Sequence, residues 1–436
     1  MSSVNIAAGL WGGSKTVAIT GHTRHRHTPS PVVPGFKAPG LPPDLSFGPT
    51  ALAAAIARTA TLRNAPVELL SRWRDSALLE VELMIGNGAT FSLSSHFGFL
   101  ADVERTVFAA RVGAGITDIA MNSLGYTWRD NADCLSVSLD PRADFIYAGG
   151  NASGYGVVLA EAHGSFSPSI SNASIGGRAT RKYLRQVKPY IAVNSLHGRV
   201  IHGYSVAFGS KPGTSDTFLN LAETQIRVPP LKPASQTLAE ETRTVHRIPS
   251  SLALATYRSN FVLMDALPVV QWIDWARGRA ESPEETTAVE FLRLEYAGRS
   301  FLACEDSIFP VRKTPVWIED FREHPRWWRH LEEMWYAGQH GIGQFAGWFV
   351  MEERACERFL DTLSRMIGGT EPDIPEQLEL PSIDPVGFGL EGETKSFRGS
   401  NSDYNYALFR DGLALLGTPP RRIAGYRRWL PKAGLR

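Results

Sequence analysis

The chain is short of the features that announce a class. It has three cysteines, Cys134, Cys304 and Cys356, in 436 residues. An odd number at such wide spacing offers neither a disulfide framework nor a zinc pattern, so a reducing cytoplasm is the expected setting. No apolar run approaches the ~20 residues that span a bilayer, so no membrane partner is expected. The first residues lack a basic segment followed by an apolar core, so no signal peptide is expected. Net charge is almost nil, with 45 Lys+Arg against 44 Asp+Glu. That excludes a globally basic nucleic-acid binder and leaves room only for a local basic patch. There is no internal repeat and no low-complexity tract.

What is present is the composition of a globular protein, 43% hydrophobic and 20% charged. Eleven Trp and 21 Phe imply large, filled cores. The length suits two or three domains.

One stretch organises the rest, DFIYAGGNASGYGVVLAEAHGSF from Asp144 to Phe166. It reads as a strand, a glycine-rich turn and a very apolar second strand. The run Val157-Val158-Leu159-Ala160 suits a strand buried on both faces. Such a strand should not run into Glu161 and His163 without a reason, because an unpaired buried charge is costly. Residues two apart on a strand share a face. Asp144, Glu161 and His163 are therefore expected to converge and to hold a divalent cation.

Around this hairpin the pattern alternates. Ser14-Lys15-Thr16 falls short of a phosphate loop, and the His/Arg-rich residues 22–27 read as a solvated loop. Residues 50–75 look helical, with Pro66 near a second helix start, and 77–85 read as a strand. Residues 98–126 predict one long helix with an apolar stripe through Leu100, Val103, Val107, Phe108, Val112, Ile116, Ile119 and Ala120. Glu104 lies beside that stripe, and pattern alone pairs it with Arg105 or Arg111. Residues 175–190 predict a basic helix, with Arg178, Arg181, Lys182, Arg185 and Lys188 spaced to face phosphates or solvent. Residues 200–210 read as a strand, and a Pro-rich connection follows at 228–237. Beyond it, 250–370 read as mainly helical, including the stretches around Trp327, Trp328, Trp335 and Trp348. A strand pair is expected about Ala297-Gly298, and a hairpin at Asp411-Gly412.

The order of these pieces resembles the PD-(D/E)xK restriction-endonuclease-like superfamily over residues 95–210. The parallels are Glu104 in FLADVERTVF, Asp144 in PRADFIY, Glu161 and His163 in VVLAEAHGSF, and the basic helix with Gln186 in LRQVKPYI. The resemblance implies an α/β (α+β) fold, a mixed sheet flanked by helices, here with a largely helical C-terminal region added. It divides the chain into an N-terminal region without assigned role (1–90), the nuclease-like core (91–228), a mainly helical domain (238–370) and a tail with a β-hairpin (371–436). It implies a metal-dependent nuclease acting on DNA, in restriction or phage defence, using Mg²⁺ or Mn²⁺. Asp144, Glu161 and the carbonyl of Ala162 would hold the metal, and such hard oxygen ligands suit Mg²⁺. Glu104 would support it, and Arg181, Lys182, Arg185 and Gln186 would meet the nucleic acid. His163 stands where the family has lysine. It would act as a base near neutral pH, or mark a centre that has lost activity, with Lys182 as a substitute for the missing lysine. The alternative is a catalytically degenerate relative serving binding or assembly with a protein partner. A third reading is an unrelated α/β fold in which Asp144 is a turn residue and Glu161 a strand-end charge.

Overall fold

The structure is a computed structural model that describes residues 14–27, 36, 38–63, 65–135, 141–149, 156–225, 245–284, 288–305, 348–388, 406–417 and 422–436. It is mixed α/β, with two large sheets and helices packed on them. The first sheet draws on β1 (Lys15–Arg26), β2 (Asp44–Phe47), β3 (Arg129–Asn131), β4 (Phe145–Ala148), β5 (Gly156–Phe166), β6 (Asn194–Ser195), β7 (Gly198–Ser210) and β8 (Thr217–Gln225). Its order is β2-β1-β8-β7-β5-β4-β3, with β6 paired to β7. β4 and β5 are antiparallel, whereas β5 and β7 are parallel. Parallel neighbours need a crossover. Helix α4 belongs to the segment that makes it.

The helices are α1 (Pro49–Ala60), α2 (Val67–Met84), α3 (Asp102–Ser123), α4 (Asn172–Lys182), α5 (Ser250–Leu263), α6 (Leu267–Ala276) and α7 (Glu353–Met366). β5 is sandwiched. α3 lies against one face so closely that a Cβ on Gly164 would sit 1.7 Å from the Ala109 carbonyl oxygen. On the other face Gly203 of β7 leaves room for Val187, whose Cγ1 would be 2.3 Å from an added Cβ. α4 continues as a π turn over Tyr183–Val187. This double cover explains the apolar run 157–160, which is fully buried.

A short pair, β9 (Val245–Pro249) with β13 (Gln377–Pro381), leads to the second sheet. That sheet uses β10 (Val289–Tyr296), β11 (Arg299–Cys304), β12 (Trp348–Glu352), β14 (Tyr406–Leu408), β15 (Leu413–Leu416), β16 (Arg422–Leu430) and β17 (Gly434–Leu435). Its order is β14-β15-β12-β11-β10-β16-β17, antiparallel throughout. One buried apolar cluster extends from Leu52 and Val112 to Tyr257, Phe359 and Leu415, so both sheets share a core. Within it lies a charged quartet. Arg58 meets Asp118 at 2.8 Å and Asp411 at 2.9 Å, and Arg129 meets Asp411 at 2.9 Å. Two guanidiniums and two carboxylates balance there, as buried charges must.

Several expectations need correction. Among the described residues the C-terminal region is not helical alone: a seven-stranded sheet accompanies α5, α6 and α7, and the segment from Trp348 opens as β12 before α7 begins. Tryptophans 327, 328 and 335, the glycine-rich turn at 150–155 and the connection at 228–237 lie outside the described residues. Residues 77–85 extend α2 instead of forming a strand, as befits a run rich in Leu, Glu and Met. Residues 22–26 are not a loop but the edge of β1, held by parallel pairing to β8. β1 and β2 thus belong to the same sheet as the hairpin, which lies beyond the boundary drawn at 90. The stripe on α3 is buried at Phe108, Val112, Ile116, Ile119 and Ala120, while Val103 and Val107 are exposed because the helix start overhangs the sheet. The predicted strand pair turns at Ala297 (φ 50°) and Gly298 (φ 74°), and the predicted hairpin joins β14 to β15 at Gly412 (φ 89°). Trp348 is a core residue, as expected.

Candidate active site

The antiparallel register pairs Phe145 with Ala160 and Ile146 with Leu159. Continued by one step, it sets Asp144 opposite Glu161. Cross-strand neighbours share a face. Asp144 is exposed, and its Oδ2 accepts the Ala162 N–H at 2.9 Å. Glu161 is buried, with its side chain 1% exposed. Its Oε1 accepts from Lys182 Nζ at 2.7 Å. Its Oε2 is buried with no hydrogen-bond partner. Burial and then the neighbouring Asp144 carboxylate push the Glu161 pKa up to about 8. Two carboxylates side by side with one orphaned oxygen call for a proton or a cation between them.

Odd-numbered residues of β5 face α4. That puts His163 and Ser165 beside Glu161, as the period of two predicts. His163 nevertheless turns to α4: Arg178 Nη1 lies 3.0 Å from His163 Nε2 and donates to Ser165 Oγ at 2.9 Å. Burial, then Arg178, Lys182 and Arg181, lower the His163 pKa to about 4. His163 thus shares the face of Glu161, with its Nε2 engaged by Arg178. Its side chain belongs to the arginine side of the site.

A cleft of about 430 Å³ opens over this face, lined by Pro141, His163, Arg178, Arg181, Lys182, Arg185 and Gln186. The basic helix predicted from sequence supplies most of that lining. α4 starts where Ser171 and Ser174 cap each other's backbone N–H groups. Residues 178, 182 and 186 then recur every four positions and face the sheet. Arg181 and Arg185 are exposed at the mouth. Gln186 spends its amide on the protein, donating to the Arg142 carbonyl at 2.9 Å. That bond ties α4 to the segment just before Asp144, so Gln186 positions the carboxylate while lining the cleft.

Glu104 is elsewhere. It is exposed in the first turn of α3, and its Oε2 accepts the Ala101 N–H at 2.8 Å, closing the helix start. α3 touches β5 at Gly164 through Ala109 and Gly113. Glu104 is five residues before Ala109, roughly 8 Å along the axis at 1.5 Å per residue. Its expected support of the metal is corrected to helix capping. The bland partners fail as well, since Arg105 pairs with Asp102 and Arg111 with Glu80. Lys15 is likewise structural: its Nζ donates to the carbonyls of Gly86, Gly88 and Thr90.

Among the described residues, no group of three or more His, Cys, Asp or Glu side chains is arranged to hold a metal ion. The Asp144–Glu161 pair alone supplies hard oxygen donors, and the orphaned Glu161 Oε2 is a free ligand position. These residues fit a cation such as Mg²⁺, which needs one or two carboxylates and keeps its waters. Sequence reasoning missed the clasp of Arg178 on His163, because spacing shows which residues share a face and not which of them touch. Comparisons with family models, curated proteins and solved structures return no match.

Proposed function

We propose that this chain is a metal-dependent nuclease-like protein that hydrolyses phosphodiester bonds in DNA, serving restriction or phage defence. The reading takes the first sheet with α3 and α4 as a restriction-endonuclease-like core. One observation carries it: Lys182, which lines an arginine-rich cleft, holds its Nζ 2.7 Å from Oε1 of Glu161, the cross-strand neighbour of Asp144. Two carboxylates and an ammonium are the donor set of such a centre, with the lysine delivered from α4 in place of the strand position held by His163.

When bound, Mg²⁺ or Mn²⁺ would supply Lewis-acid stabilisation of the phosphate. Asp144 and Glu161 would hold the ion, with the backbone of Ala162 alongside. Lys182 would favour the charged form of Glu161 against burial and would offset charge gathering on the phosphate. Arg181 and Arg185 would receive flanking phosphates, and Arg178 would brace β5 against α4. A second reading rests on the engagement of His163 by Arg178: a degenerate centre that binds DNA or a protein partner without cutting.

Lys182→Met and His163→Lys separate the two readings in a plasmid-cleavage assay. The nuclease reading expects wild-type cutting that Lys182→Met abolishes. Cutting that appears only in His163→Lys would overturn it in favour of a degenerate centre.

A further inference from the structure

At the start of β7, three residues from distant parts of the chain form a hydrogen-bonded relay. His197 occupies the two-residue turn between β6 and β7, and its ring is fully buried. Nδ1 lies 2.8 Å from Ser251 Oγ, and Nε2 lies 3.2 Å from Asp130 Oδ2. Asp130 is fixed in turn. Its Oδ1 accepts the Asn131 N–H at 2.7 Å, and Arg277 Nη2 stands 3.4 Å from its Oδ2. The turn is fixed too, because Ser195 Oγ accepts the His197 N–H at 3.2 Å and donates to the Gly198 carbonyl at 2.7 Å.

Ser251 is the second residue of α5 and is only half-buried. That helix start has no side-chain cap. The Ser250 N–H is spent on the Glu376 carbonyl at 3.0 Å, while the following first-turn N–H groups have no carbonyl within the helix to bond. They point along the positive end of the helix dipole, beside the Ser251 hydroxyl. A hydroxyl, an imidazole, a carboxyl group and backbone N–H donors are the parts of a serine nucleophile centre.

We propose that Ser251, His197 and Asp130 form a second reactive centre that takes carboxylic esters. Ser251 Oγ attacks the ester carbonyl carbon as its proton passes to His197 Nδ1. Asp130 holds the proton on Nε2 and stabilises the imidazolium. The C–O bond to the alcohol breaks, and the alcohol leaves with the proton from His197. Water then attacks the acyl-serine by the same route, releasing the carboxylic acid and restoring Ser251. The ring is used with Nδ1 toward the serine, and either nitrogen of a neutral imidazole serves as base when the other carries the proton. Leu196, next in the turn and 68% exposed, marks the surface side of the relay. Asp130 pairs with Ile146 across β3 and β4, two residues from Asp144, yet its carboxylate is engaged by His197 and Arg277 and not by the groups around Glu161.

The test is labelling of the full chain by a fluorophosphonate, read by peptide mass spectrometry, with hydrolysis of p-nitrophenyl butyrate alongside and melting curves to confirm folding. One phosphonyl group should appear on Ser251. It should be absent in Ser251→Ala and at least tenfold slower in His197→Gln and in Asp130→Asn. Wild-type protein unlabelled at Ser251 overturns the proposal. So does labelling at an unchanged rate in whichever of His197→Gln and Asp130→Asn remains folded.

Discussion

Binding of Mg²⁺ at Asp144 and Glu161 should release a proton, and the structure fixes how much. Burial and the Asp144 carboxylate raise Glu161 from its ordinary 4.5 to about 8. At pH 7 a group of that pKa is about nine-tenths protonated, and an ion that takes its place expels about 0.9 proton. At pH 9 the release should fall to about 0.1. Affinity should follow, being about fifty-fold weaker at pH 6 than at pH 8. Stability has the opposite slope without metal. A carboxyl raised on folding contributes stability that is complete below 4.5 and is lost as pH rises through about 8, a loss that Mg²⁺ should offset. Calorimetric titration with Mg²⁺ in buffers of different ionisation enthalpy measures the proton count directly. Glu161→Gln keeps the side-chain volume and should release no proton. Binding without proton release at pH 7, or equal release from Glu161→Gln, would refute the assignment of this pair as the cation site.

Three further outcomes are expected. Asp411→Ala leaves Arg58 and Arg129 in the core with one carboxylate between them, so urea unfolding should show a loss of about 3–5 kcal/mol, and a loss under ~1 kcal/mol would contradict the account of the quartet. Gly164→Ala puts a methyl group into the Ala109 carbonyl and must push α3 off β5, so the melting transition should fall by the equivalent of ~3 kcal/mol or more; an unchanged melting curve would show that the sandwich yields. Arg181→Ala and Arg185→Ala should each weaken DNA binding without regard to sequence and reduce the salt dependence by about one counterion, which a fluorescence titration across salt concentrations reads out.

Local patterns carried the central strand of the first sheet and two turns of the second. The apolar run 157–160 announced a doubly covered strand, and the turns at Ala297-Gly298 and Asp411-Gly412 stand where their residues require. Spacing placed Glu161 and His163 on one face and brought Lys182 within reach, but it could not say that Arg178 would claim the histidine. Glu104 misled because a capping carboxylate and a ligand look alike beside an apolar helix. The second sheet was hidden for a different reason. Strands such as Trp348–Glu352 run directly into an amphipathic helix, and a short apolar strand has no period that separates it from a buried helical turn. The Ser251–His197–Asp130 relay had no signal at all, since its members are 54 and 67 residues apart in sequence and meet only through the fold.

Cleavage of supercoiled and linear DNA in Mg²⁺ and in Mn²⁺, by the wild-type chain beside Glu161→Gln, tests the central claim most directly. The account predicts cutting by the wild type that depends on the metal and is lost in Glu161→Gln. Cutting that survives in Glu161→Gln, or no cutting by the wild type with either ion, would contradict it.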